Sequence, residues 1–143
     1  MTTTTKPKAA YWIIAIIALI WNSLGVNAYL QQQYNTEAFR SQYSQEQLEL
    51  VYAMPAWATA AFAFAVFGGL FGSIALLLTK KVANLLFAFS LLGIIVQMIY
   101  NFLVINSIEV YGPGATIMPI MIIIIGIFLF TYSRKATTKG WLN

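Results

Sequence analysis

The chain has 143 residues, of which 60% are hydrophobic and only 8% charged. A soluble domain carries about 25% charged residues, so a water-soluble fold of this size is excluded, and a mean hydropathy of +0.76 points to an integral membrane protein of one domain. The absence of cysteine and histidine excludes disulfides, thiolate chemistry, histidine-held haem and the common zinc sites, and no metal or cofactor is expected.

A spanning helix needs about 20 mainly apolar residues, and four segments supply them. The first covers about 9–30. Inside it, "IWNSLGVNAYL" interrupts an Ile/Ala/Leu run with Trp21, Asn22, Ser23 and Asn27. Asn22 shares a stripe with Gly25 and Tyr29. Asn27 lies five residues from Asn22 and so points about 140° away, toward a different environment. Lys6, Lys8, the apolar run and Val26-Asn27-Ala28 also fit a signal peptide cleaved after Ala28, which would leave three spans. The apolar run continues past the point where a signal's hydrophobic region stops, which favours a retained span.

The polar outer loop, 31–54, carries Ser44-Gln45-Glu46-Gln47, a capping-box pattern, followed by the apolar Leu48, Val51 and Tyr52. This predicts a short amphipathic helix over the bundle mouth, a connector or a lid. Pro55 either opens the next span or kinks a helix running on from Ser44.

The second span covers about 55–78. Ala58, Ala61, Ala65, Gly68, Gly72 and Ala75 form one stripe of small residues. Such stripes let membrane helices approach closely, and a four-helix bundle would use this one internally. The alternative use is a dimer interface. The turn 79–81 makes a helical hairpin with the third span, about 82–105, whose Ser90, Gly93, Gln97 and Tyr100 or Asn101 make another small or polar face. The loop 106–114, "NSIEVYGPG", contains a Gly-Pro-Gly breaker. The fourth span, about 115–132, is the shortest.

Charge sets the orientation. Lys6, Lys8, Lys80, Lys81, Arg134, Lys135 and Lys139 fall on one side of a four-span chain; Glu37, Glu46, Glu49, Glu109 and Arg40 fall on the other. Excess Lys and Arg marks the cytoplasmic side, so both termini are expected there. The net charge of +4 is then a topology signal with an attraction to anionic lipid head groups, and no basic domain exists to bind nucleic acid. Tyr11, Trp12, Tyr132 and Trp141 flank the cytoplasmic side; Tyr29, Tyr34, Tyr52, Trp57 and Tyr111 flank the outer side, as interfacial aromatic belts do.

Counted from Ala9 and Val82, Asn22 and Gln97 lie at similar depth, about 20–23 Å, so they can meet. Trp21, Asn22, Tyr29, Trp57, Gln97, Tyr100 and Asn101 are therefore the candidate polar interior or ligand-binding residues. No ionisable residue is expected inside a span, which argues against proton coupling. No group that titrates near neutral pH is paired by a recognisable spacing, so an enzyme is not expected.

The stretches "WNSLGVNAYL", "MPAWATAAFAFAVFGGLFGSIALLLTKK", "LLGIIVQMIYNF" and "PIM…YSRK" resemble a group of uncharacterised small bacterial inner-membrane proteins, some labelled "sugar transporter". The resemblance covers most of the chain and implies a four-span protein of the bacterial inner membrane. It supplies no functional residues to carry over. Two roles are then open. In the first, the favoured one, the chain is a structural or assembly subunit, alone as a homo-oligomer or with a membrane-protein partner, and its amides are interhelical hydrogen bonds. In the second it binds or transports a small neutral polar solute such as a sugar, without proton coupling.

Overall fold

The structure, a computed structural model, describes residues 7–104 and 117–143. It is an all-α bundle with four helices long and apolar enough to cross a membrane, and the chain is a multi-pass membrane protein. The predicted loop 106–114 and the first residues of the fourth span lie outside the described residues.

The first spanning helix, α1 (Ala9–Tyr34), runs four residues past its expected end and is continuous through Ala28. It stops at Asn35, whose positive φ of 52° is a left-handed conformation that asparagine tolerates. A four-residue helix, α2 (Glu37–Arg40), follows, capped by the Thr36 hydroxyl. Then α3 (Gln45–Tyr52) begins with both bonds of the capping box: Gln47 N–H donates to Ser44 Oγ, and Ser44 N–H donates to Gln47 Oε1. Tyr52 Oη donates to Asn35 Oδ1 over 3.0 Å and ties α3 to the end of α1. Pro55 is the N-cap of α4 (Ala56–Leu77); α3 has already ended, so the proline opens the span and kinks nothing.

Helix α4 ends at Thr79, the other non-glycine residue with positive φ, where Lys80 N–H reaches back to Ala75 O. Helix α5 (Val82–Ile99) continues as a π-helical turn, Tyr100–Val104. The last helix, α6 (Ile117–Thr138), extends six residues beyond the predicted 132. Arg134 and Lys135 thus stand on its final turns, where helix leaves the membrane without unwinding.

The helices pack in the order α1–α4–α5–α6. The small stripe of α4 faces α5. Gly93 of α5 sits so close to α4 that a Cβ there would lie 2.6 Å from Ala61 O and 2.7 Å from Ala65 N. Ser90 Oγ donates to Ala65 O over 2.6 Å across the same seam. Small residues trade side-chain volume for backbone contact, the main source of helix adhesion where both solvent and side chains are apolar.

The two ends differ. At the end carrying the Lys and Arg residues, here the basic end, Tyr11, Ala15, Ala18, Leu76, Ala83, Phe87, Leu129 and Leu142 form one buried core. Tyr11 Oη donates to Leu76 O. Asn84 Nδ2 donates to Thr137 Oγ1 over 2.7 Å, and Ser133 Oγ donates to Asn84 Oδ1 over 2.9 Å, fastening α5 to α6. Lys81 N–H donates to Asn143 O and Asn143 N–H to Thr79 O, clasping residues 139–143 against the α4–α5 turn. Toward the opposite, loop end, the buried face of α1 stops at Asn22, and that of α6 begins only at Leu129. The bundle is closed below; above, α4 and α5 stay packed while α1 and α6 draw away from each other.

Candidate functional site

The inward face of α1 is Tyr11, Ala15, Ala18 and Asn22, spaced four, three and four, one helical face. Asn22 Nδ2 donates to Ala18 O over 2.9 Å and to Ser73 Oγ over 3.1 Å. Ser73 Oγ in turn donates to Gly69 O over 2.8 Å. The Asn22 carboxamide lies on Gly69, and a Cβ at that glycine would overlap it. Asn22 is therefore an interhelical hydrogen bond between α1 and α4, of a kind worth about 0.6–2 kcal/mol in a membrane.

Above this bond the parted helices enclose two adjoining cavities. The inner chamber, about 450 Å³, is lined by all four spans, among them Trp21, Asn22, Leu24, Phe87, Ser90, Ile122 and Leu129. The outer pocket, about 370 Å³, holds Gln32, Gln97, Tyr100 and Asn101, with Leu50, Val51 and Met54 from α3 and the residues after it. Tyr43, Phe62, Ala65, Val66, Ile94, Met118 and Ile122 line both. The capped helix α3 thus sits over the mouth, with Leu48 buried beneath it. Both volumes fall in the range of small-molecule pockets, which are mostly apolar with a few placed polar groups.

The polar groups differ between the two. In the inner chamber the Asn22 donors and the Ser90 hydroxyl are committed to protein acceptors, and Trp21 and Tyr43 add the other polar groups of its wall. In the outer pocket Gln97 Oε1 is buried, and among the described residues it has no hydrogen-bond partner. A buried acceptor left without a donor costs about 1–3 kcal/mol. No Lys, Arg, Asp or Glu lines either cavity among the described residues.

The structure divides the candidate residues. Trp21 and Asn22 line the inner chamber; Gln97, Tyr100 and Asn101 line the outer pocket. Tyr29 and Trp57 line neither. Tyr29 packs edge-to-face on Phe62 and Phe67, with ring centroids 5.2 and 5.6 Å away. Trp57 is 49% exposed, stands edge-to-face on Tyr100 at 5.4 Å, and borders a separate groove of about 320 Å³ with Phe64 and Phe89. No hydrogen bond joins Asn22 to Gln97, despite their similar depth. Helix α1 packs on α4 rather than α5, so Asn22 finds Ser73 first. Asn27 is exposed, rotated off the inward face.

Ser73, Gly69, Gln32 and Tyr43 belong to the site and were not singled out in the sequence. Gly69 and Ser73 had a signal. With Val66 and Leu76 they form a second inward stripe one residue round from Gly68 and Gly72, and that stripe receives α1. Gln32 and Tyr43 lie in the segment read as an outer loop, and no periodicity marks them.

Comparison with protein-family models, with curated proteins and with solved structures gives no match to this chain.

Proposed function

We propose that this four-span membrane protein binds a small uncharged molecule in the paired cavities, with Gln97 as the group that recognises it. The basic end faces the cytoplasm by the charge rule, and the membrane is the bacterial inner membrane that the resemblance implies. One observation carries the reading: Gln97 lines a pocket that shares much of its wall with a chamber lined by all four helices, and its buried Oε1 has no hydrogen-bond partner among the described residues. A ligand hydroxyl or amide supplies the missing donor. The role is binding, in keeping with walls that carry no charged side chain among the described residues.

The test is ligand-induced stabilisation of the purified protein in a nonionic detergent, across a panel of neutral sugars, polyols and neutral amphiphiles. A ligand at a hundredfold excess over its Kd stabilises by about 2.7 kcal/mol, a rise of several degrees in Tm. The rise should vanish in Gln97→Leu and persist in Trp57→Phe. A panel without any Gln97-dependent shift overturns the proposal.

A second reading, an assembly subunit, draws on α6. It is the least buried of the four spans and has no buried residue before Leu129, which leaves a long apolar face for another membrane helix. Native mass spectrometry from gently solubilised membranes separates the readings: a stoichiometric protein partner or a defined homo-oligomer supports assembly, and a lone monomer counts against it.

A further inference from the structure

We infer that the ligand is a neutral single-chain amphiphile, with its hydrocarbon tail in the inner chamber and a hydroxyl or amide head at Gln97. This rests on the binding role proposed above and assigns its ligand class.

The chamber's chemistry favours hydrocarbon over a polyol. Every hydroxyl placed there needs a hydrogen-bond partner or pays for its desolvation, and the donors of Asn22 and Ser90 already serve Ala18, Ser73 and Ala65. Apart from the Asn22 carbonyl, the Trp21 indole and Tyr43, the wall is aliphatic and aromatic, with Leu24, Phe87, Ile122 and Leu129 prominent. It accepts methylenes, each contributing about 0.8 kcal/mol on burial.

The chamber's shape selects one chain. Its α6 wall runs from Met118 to Leu129, eleven residues, or about 16 Å at the helical rise. A volume of about 450 Å³ over that length leaves a mean section on the order of 30 Å². A long, narrow space of this kind suits an extended hydrocarbon chain.

The entrance and the head position agree with this. Leu24 of α1 and Met118 of α6 both line the chamber and are 61% and 55% exposed on the bundle surface. A tail can therefore slip between α1 and α6 directly from the bilayer. The outer pocket shares much of the chamber's wall and extends from Gln97 to Gln32 and α3 at the loop end. There the buried Gln97 carbonyl has no donor among the described residues. A charged head would have no counter-charge among the described lining residues and would lose its hydration uncompensated. The core at the basic end closes the foot of the slot.

The experiment uses the full chain in lipid nanodiscs with Trp21 as the only tryptophan (Trp12→Phe, Trp57→Phe, Trp141→Phe). The probe is a monoacylglycerol with a dibrominated chain, whose bromines quench a tryptophan they touch. Expected is quenching that saturates at low mole fraction. Ile122→Phe, which fills the slot, and Gln97→Leu should each weaken it at least tenfold. The matching dibrominated fatty acid, ionised, should bind at least tenfold more weakly than the monoacylglycerol. Quenching that rises in proportion to mole fraction, alike in Ile122→Phe, is ordinary bilayer contact and overturns the inference. If a chainless polyol nevertheless stabilises the protein through Gln97, the binding role survives and only the ligand class falls; if no solute does, both fall. Should the single-tryptophan protein not fold, native mass spectrometry of the unsubstituted chain with 1-oleoylglycerol decides. One adduct lost in Ile122→Phe supports the inference, and no adduct overturns it.

Discussion

At the basic end, Tyr11, Leu76, Phe87, Leu129 and Leu142 interlock, and the polar groups of Asn84, Ser133 and Thr137 satisfy one another. At the loop end α4 and α5 stay in contact, α1 and α6 face each other across two cavities, and the Gln97 carbonyl has no partner among the described residues. Composition does not explain the contrast, since both halves of each span are apolar. Side-chain size and pairing do. Alanines at 15, 18, 75 and 83 bring the helices together below, while Phe62, Ile94, Met118 and Ile122 line the space above. Stability and recognition are thus assigned to different ends of one bundle, and substitutions should separate them.

The largest effect should come from the seam that both ends share. Gly93→Leu drives a side chain into the α4 backbone at Ala61 and Ala65; a cost above about 3 kcal/mol should abolish the monodisperse peak on size exclusion. Next, Leu76→Ala empties a fully buried site and should cost about 2–5 kcal/mol. Met118→Ala, on the wall of the open end and 55% exposed, should cost less than about 1 kcal/mol, judged by unfolding midpoints in the same detergent. Equal costs would erase the distinction between the ends.

Smaller still is the bond at the boundary. A double-mutant cycle of Asn22→Ala and Ser73→Ala should give a coupling of about 0.6–2 kcal/mol; zero coupling would remove Asn22 from the α1–α4 contact. The smallest change should have the opposite sign. Gln97→Leu removes an unpaired buried carbonyl oxygen and should leave stability unchanged or raise it by up to about 1 kcal/mol, while abolishing ligand-induced stabilisation. A marked loss of stability would mean that Gln97 is part of the packing.

Much of the scaffold was legible because period and length are local properties. The four apolar runs, the Ser44–Gln47 capping box and the stripe from Ala61 to Gly72 derive from spacing alone. The illegible part concerns neighbours. Spacing placed Asn22 on an inward face but could not say that α4, rather than α5, stood opposite it, so Ser73 was overlooked. Trp57 was grouped with the interior by depth, although depth does not specify azimuth. The end of the fourth span was set by hydropathy, and a helix has no reason to stop where lipid does. Arg134 and Lys135, both exposed, lie on the helical turns that follow Tyr132.

The turn at Tyr100–Val104 has a different consequence. A π turn carries one residue more than the α turn it replaces without breaking the helix. In an unbroken α-helix one added residue would swing the following chain by about 100°; a π turn takes up the extra residue within its own wider ring. The widened backbone lies at Tyr100 and Asn101, which line the outer pocket three and four residues on from Gln97.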